Sequence, residues 1–166
     1  DILLVTKLGQ CIRFHESDVR KTGRSSMGVI GMNLLDEDEV VGMQLDTQGD
    51  SLLIVSEKGL GKITDMNEFT VQHRGGKGIK GMQTLEDDFI EDLFMTTSHH
   101  SLTFFTNQGR AYKLKAYEIP ESGRTSRGTA IINLLQLQPE EQITAVIPVD
   151  TKHINDSDYM FMATKK

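Results

Sequence analysis

The sequence predicts an all-β fold, a propeller-like array of four-stranded blades of about 50 residues each. Two observations carry that prediction: an internal repeat with a fixed step, and short β-branched apolar runs separated by turn residues. Gly9, Gly59 and Gly109 lie 50 residues apart, and so do Arg24, Arg74 and Arg124. Gly28, Gly78 and Gly128 keep the same step, as does the apolar column Val19, Phe69, Ile119. Several columns in one register mark tandem units. They divide a single repeat domain into units 1–48, 49–98 and 99–150, with the start of a further unit in 151–166.

Each unit reads alike. It opens on an apolar run (ILLVT from Ile2, LLIVS from Leu52, LTFFT from Leu102), then a turn carrying the first glycine column. Glycine there suits a hairpin, where φ is often positive. A second strand follows (CIRF from Cys11, GKIT from Gly61, AYKL from Ala111), then a polar loop with the arginine and the second glycine. A third strand is expected at VIGMNL (Val29–Leu34), IKGMQ (Ile79–Gln83) and TAIINLL (Thr129–Leu135). After an acidic turn comes a fourth, at VVGMQL from Val40, FIEDLFM from Phe89 and ITAVIPV from Ile143. Runs of 4–7 residues bounded by turn residues favour strands over helices. Asp158 to Thr164 reads as the opening strand of a fourth unit.

Composition excludes several classes. The 166 residues are 37% hydrophobic and 25% charged, an ordinary globular balance. No run of about 20 apolar residues is present, so no membrane-spanning helix is expected. The opening DILLVTKLGQ has no basic n-region, no small-residue cleavage site and no initiator Met, and the end falls in mid-pattern; both ends read as cut from a longer chain. The single cysteine, Cys11, precludes an internal disulfide framework and fits a cytoplasmic setting. His99-His100 lacks a third ligand for a metal. His15-Glu16 reads as a surface pair, Ser25, Ser26 and Ser98 have no nucleophile partners, and the eight Met read as core filler. No catalytic constellation and no cofactor are expected.

Net charge is −6, which by itself argues against a nucleic-acid partner. The repeat sorts the charges, however. Eleven of the 24 acids sit at the turn before the fourth strand: Asp36 to Glu39, Glu86 to Asp88, Glu91, Asp92, Glu140 and Glu141. Thirteen of the 18 bases sit on the second strand and beyond it: Arg13, Arg20, Lys21, Arg24, Lys62, Arg74, Lys77, Lys80, Arg110, Lys113, Lys115, Arg124 and Arg127. A basic stripe attracts phosphates even on an acidic protein, because screening limits electrostatic reach to about 10 Å. The loop Gln72-His73-Arg74-Gly75-Gly76-Lys77-Gly78 is the densest spot, with glycines for close approach and two cations. It is not a P-loop, because no Ser or Thr follows the Lys.

The heptapeptide Gln72–Gly78 resembles the signature box of the C-terminal domain of the DNA gyrase A subunit. The text around it does too: EDDFIEDLF (Glu86–Phe94), FFTNQGRAYKLKAYEIPESGRTSRGT (Phe104–Thr129), NLLQLQPEEQI (Asn133–Ile143), ILLVTKLGQCIRFHESDVRKTGR (Ile2–Arg24) and DEDEVVGM (Asp36–Met43). The resemblance implies a six-bladed β-pinwheel, in which neighbouring blades exchange strands and duplex DNA wraps round a basic rim in the service of supercoiling. The partners it implies are the rest of gyrase A and gyrase B. It also implies a non-catalytic role, since the active-site tyrosine of such enzymes lies elsewhere and Tyr112, Tyr117 and Tyr159 match no such motif.

The residues expected to contact DNA are Gln72, His73, Arg74, Gly75, Gly76, Lys77, Gly78, Lys80, Arg13, Arg20, Arg24, Lys62, Lys113, Arg124 and Arg127. Three features depart from the family pattern. Position 73 is His where the box has Lys or Arg, Ile63 stands where a cation is usual, and three repeats occur in reversed order where six are usual. Half the usual number suggests a homodimer completing a six-bladed ring, with the strand near Tyr159 closing the partner's first blade. A protein-interaction propeller without DNA binding is the competing reading.

Overall fold

The computed structural model describes residues 1–149, 159–161 and 163. Three antiparallel sheets follow one another along the chain. The first comprises β1 (Ile2–Thr6), β2 (Gln10–Phe14) and β3 (Val40–Leu45); the second, β4 (Ser51–Ser56), β5 (Leu60–Asp65) and β7 (Ile90–Thr96); the third, β8 (Ser101–Thr106), β9 (Ala111–Lys115) and β11 (Ile143–Val149). Two short strands, β6 (Ile79–Lys80) and β10 (Thr129–Ala130), join them differently. The strand orders are β3-β1-β2-β6, β10-β5-β4-β7 and β11-β8-β9. The third strand of each later repeat is thus given to the preceding blade: β6 pairs with β2 (Cys11 opposite Ile79), and β10 with β5 (Gly61 opposite Thr129).

This exchange explains why the opening runs are continuously apolar. Side chains alternate between the two faces of a strand, and the middle blade is covered on both. Leu52 and Ile54 share a core with Leu3, Val5, Cys11, Phe69, Met82 and Met95. Leu53 and Val55 share another with Ile63, Leu102, Phe104, Ile119 and Val146. Each such side chain, fully buried, contributes about 1.5–3 kcal/mol. The cores therefore lie between blades rather than within them.

The third strands are shorter than the sequence suggests. Ile79–Gln83 contributes only two strand residues, and Val29–Leu34 is not in a strand. Thr129–Leu135 splits into β10 and one helical turn, α1 (Ile132–Leu135), which places Ile131 and Leu135, four apart on one face, in the core between the second and third blades. The strand expected over 158–164 lies largely outside the described residues; Tyr159, Met160 and Phe161 are described, exposed and in no strand.

The exchanged strand enters through a glycine. Gly78 (φ +75°) and Gly128 (φ +80°) occupy the left-handed region, and a Cβ there would fall 2.4 Å from the Cys11 carbonyl oxygen and 2.6 Å from that of Gly61. Gly28 has the same conformation (φ +77°) with open space around it. We expect Gly78→Ala to cost more stability than Gly28→Ala by about 1–3 kcal/mol, since both introduce left-handed strain but only the first meets backbone. Denaturant midpoints measure this; equal losses would show that the strand does not depend on the close approach.

Lys62 lies at the same junction. It is fully buried, and its Nζ donates to the carbonyl oxygens of Gly123 (2.9 Å) and Arg124. Burial pushes this ammonium down to about 8, against partial support from Cys11 and Glu68. A folded value below the ordinary 10.5 means that the unfolded chain holds the proton more tightly. Lys62 therefore adds stability as pH rises from about 8 to about 10.5, to a limit of about 3 kcal/mol. Cys11, pushed up to about 12 chiefly by burial, acts in the opposite sense above pH 9. Comparison with Lys62→Met isolates the lysine below pH 9, where Cys11 keeps its proton in both proteins: the parent should gain stability relative to the variant as pH rises from about 8, and parallel curves would refute the coupling.

Candidate nucleic-acid interface

The polar loops that carry the arginine column run beside the second strand of each blade. Each begins with a 3-10 turn, at Glu16–Asp18, Met66–Glu68 and Ala116–Glu118. After it the apolar column plugs the core between blades: Phe69 and Ile119 are buried there. The chain then returns along the neighbouring blade. Gln72 N–H donates to the Arg13 carbonyl (2.7 Å), and 50 residues later Ser122 N–H donates to that of Ile63 (2.9 Å). The backbone bridges Arg13–Val71 and Ile63–Glu121 repeat with the same step.

Two of the three arginines of this column, Arg74 and Arg124, bind protein. Arg74 donates from Nε to the Asp18 carbonyl (3.0 Å) and from Nη1 to the Ile30 carbonyl. Arg124 donates from Nη1 to the Lys80 carbonyl (2.6 Å), which is the Ile30 position one repeat on. The backbone N–H of each meets an acid 56 residues earlier: Arg74 with Asp18 (3.4 Å) and Arg124 with Glu68 (2.7 Å). An arginine fork held by carbonyls is a lock between consecutive repeats.

Arg13 is committed in the same way. Its guanidinium donates to the carboxylates of Asp1 (2.9 Å) and Asp46 (3.0 Å) and to the carbonyls of Met66 (3.0 Å) and Phe69 (3.3 Å). Lys80 reaches the Leu8 carbonyl (3.0 Å).

The fifteen expected contact residues therefore divide. Lys62 is buried, and Arg13, Arg74, Lys80 and Arg124 are half-buried on protein acceptors. Arg20, Arg24, His73, Lys77, Lys113 and Arg127 are exposed, as are Lys21 and Arg110. Gln72, Gly75, Gly76 and Gly78 are half-buried: Gly75 N–H donates to the Gly31 carbonyl (2.8 Å), and the Gly76 carbonyl accepts from Asn33 N–H (2.9 Å). The structure thus brings the box against the first repeat and leaves His73 and Lys77 outward. Sequence reading passed over the acids of the lock, although Asp18, Glu68 and Glu118 form a column of their own.

The acidic turns lead into β3, β7 and β11, the edge strands on the far side of each sheet from the loops. In the two four-stranded sheets three strand spacings separate the edges, about 14 Å, which exceeds the screening length of about 10 Å. The acids also have local work. Asp38 and Asp88 accept from the N–H groups of Leu8 and Lys58 in the hairpin turns (3.0 Å each). Glu141 accepts from Thr106 Oγ1 (2.6 Å) and Tyr112 OH (3.0 Å). Among the described residues no group of three or more His, Cys, Asp or Glu is placed to hold a metal, and no helix is long and apolar enough to cross a membrane.

The model of the DNA gyrase C-terminal domain, β-propeller, matches residues 1–45, 50–97 and 100–150. The DNA gyrase A protein of Clostridium acetobutylicum is 41% identical over 157 residues, 93% of this chain and 17% of the relative. That of Streptococcus pneumoniae serotype 4 is 43% identical over 149 residues, 90% of this chain and again 17% of the relative. The chain thus spans about a sixth of the length of the relatives it matches. Among solved structures, a DNA gyrase A C-terminal domain superposes with a TM-score of 0.77 at 24% identity, covering 89% of this chain and 50% of that one. The C-terminal domain of a DNA topoisomerase IV gives 0.76 at 23% identity, covering 91% and 47%. With the strand exchange described above, these matches place the chain in the family of the DNA gyrase C-terminal β-propeller domain.

Proposed function

We propose that this chain, with units 1–48, 49–98 and 99–150 as its blades, binds duplex DNA along the loop edge, without reading sequence, in the service of supercoiling by a gyrase. One observation carries this reading: the exposed cations Arg20, Arg24, Lys77 and Arg127, with the exposed His73 among them, lie on loops that the inter-repeat lock ties into one ladder, with the acidic turns on the opposite edge. Lys113, exposed on β9, would extend the set. Phosphates are the fitting ligand, because Arg and Lys contacts to the backbone position a duplex without sequence information. The wrapping of DNA, the partnership with the rest of gyrase A and with gyrase B, and a bacterial cytoplasmic, nucleoid-associated setting belong to the same proposal, as does a role that supplies DNA rather than chemistry.

The committed cations take a different part. Arg13, Lys62, Arg74, Lys80 and Arg124 shape the edge; the outward ones meet the phosphates. Lys77→Ala with Arg127→Ala should lower affinity for random duplex DNA and reduce the slope of log K against log salt by about 2, close to 1 per lost phosphate contact. Arg74→Ala should instead lower folding stability by about 1–2 kcal/mol with little change of slope. Mobility shifts across a salt series give both results. An unchanged slope in the double variant removes the loop edge from the site and favours a protein-interaction propeller.

A further inference from the structure

We infer that the groove between the second and third blades binds a basic segment of a partner protein, with lysine or arginine heads on the carboxylates of its rim and an apolar side chain on its floor. The groove has a volume of about 710 Å³, within the range of ligand sites. Val55, Ile132, Leu137 and Val146 give it apolar surface, and Glu57, Asp87, Glu91 and Asp92 line it with carboxylates. It lies at the Ile143 end of β11, about 20 Å along that strand from Val149.

The junction between the first two blades shows what closes this place. Gly42, opposite Val5 in β3, has no side chain, and a Cβ there would collide with the Leu93 side chain of the second blade. Leu93 therefore packs directly against β3. Ile90 is 2% exposed, and its N–H donates to the Lys7 carbonyl (2.9 Å). The Lys7 ammonium stands 4.9 Å from the centre of the Phe89 ring and 3.2 Å from Glu39. An apolar ring, a cation over it and a carboxylate beside the cation fill the space.

The second junction departs at each of these positions. Asp92 takes the place of Gly42, opposite Val55, and Val146 takes that of Leu93. A side chain where glycine allowed contact holds the blades apart. Gln142 takes the place of Phe89, and Glu57 that of Lys7. Ile143 is half-buried, and its N–H makes no bond to the Glu57 carbonyl. The ring has become an exposed amide and the ammonium a carboxylate.

The repeat does not require these acids. The first and third repeats have Val41-Gly42 and Thr144-Ala145 where the second has Glu91-Asp92. Nearby cations are engaged elsewhere: Lys58 Nζ donates to the Glu86 carbonyl (3.2 Å), and Arg110 lies 3.9 Å from Glu141. Among the described residues the carboxylates of Glu57, Asp87, Glu91 and Asp92 have no hydrogen bond and no ion pair. Burial pushes the Asp92 and Glu91 carboxyls up, and Asp92 and Glu57 press Glu91 further the same way. Carboxylates crowded beside apolar surface are stabilised by a cation brought to them. Among the described residues no group of three acids is placed to hold a metal ion, so the fitting ligand spreads its charge. Lysine and arginine do this while their stems cover apolar surface, as Lys7 does on Phe89 in the first junction.

Fluorescence anisotropy with a labelled peptide alternating lysine and leucine tests the site. The protein should bind it, and should bind a lysine–serine peptide of equal charge more weakly. Glu91→Gln with Asp92→Asn should weaken binding about tenfold, the effect of two partly exposed ion pairs. Asp36→Asn with Glu37→Gln removes the same charge from the turn of the first repeat and should change affinity by less than about twofold. Circular dichroism checks that both variants keep the parent fold. Equal losses in the two variants would mean that net charge alone draws the peptide, and would overturn the inference. Equal binding of the two peptides, or no binding by the parent protein, would do the same. The loop cations are untouched in every variant, so DNA affinity is read separately and failure here leaves the proposed function standing.

Discussion

The junction between consecutive repeats is the constraint on which the rest of the structure depends. Neither of the first two blades owns its fourth strand. β2 is completed by β6 of the next repeat and β5 by β10, and the two larger cores lie between blades. Backbone pairing and apolar burial thus occur at the same place, and neither is available to an isolated unit. That is the condition under which tandem repeats fold as an array. It also explains the columns. An arginine, a glycine and an apolar plug return every 50 residues because each junction needs the same three parts.

Charge serves two purposes here. The half-buried cations Arg13, Arg74, Lys80 and Arg124 and the buried Lys62 end on carbonyls or carboxylates of the protein, which satisfy loop groups that no strand partner can reach. Such groups cost too much to leave unpaired when removed from water. The outward cations carry no such duty and keep their charge at the surface. The acids divide likewise: Asp38, Asp88 and Glu141 tie hairpin turns to the strand behind them, while their exposed neighbours add negative charge on the far edge. A negative total is therefore compatible with a positive edge, because about 14 Å between the edges of the four-stranded sheets exceeds the screening length.

The repeat, the strand class and the sorting of charge were all legible along the chain. Each follows from spacing along the chain, and spacing survives folding: residues in one column occupy equivalent places in successive blades. The Gln72–Gly78 box was also legible, through its resemblance to a known family. What failed at this level was length and ownership. Val29–Leu34 and Thr129–Leu135 carry strand-like composition, but a strand needs a partner edge. The first meets none among the described residues, and the second pairs for two residues before α1 takes over to bury Leu135.

Which cations face solvent became visible only once the blades were packed. Arg24, Arg74 and Arg124 are one residue type in one column, yet Arg24 is exposed and the other two are held. Arg74 and Arg124 are held because the preceding repeat supplies their carbonyl acceptors. A side chain's availability depends on what lies against it in space, and a column of identical letters does not contain that information. Lys62 makes the same point: on paper it is one more cation on a basic strand, and in the fold it is a buried pin whose ammonium burial pushes down to about 8.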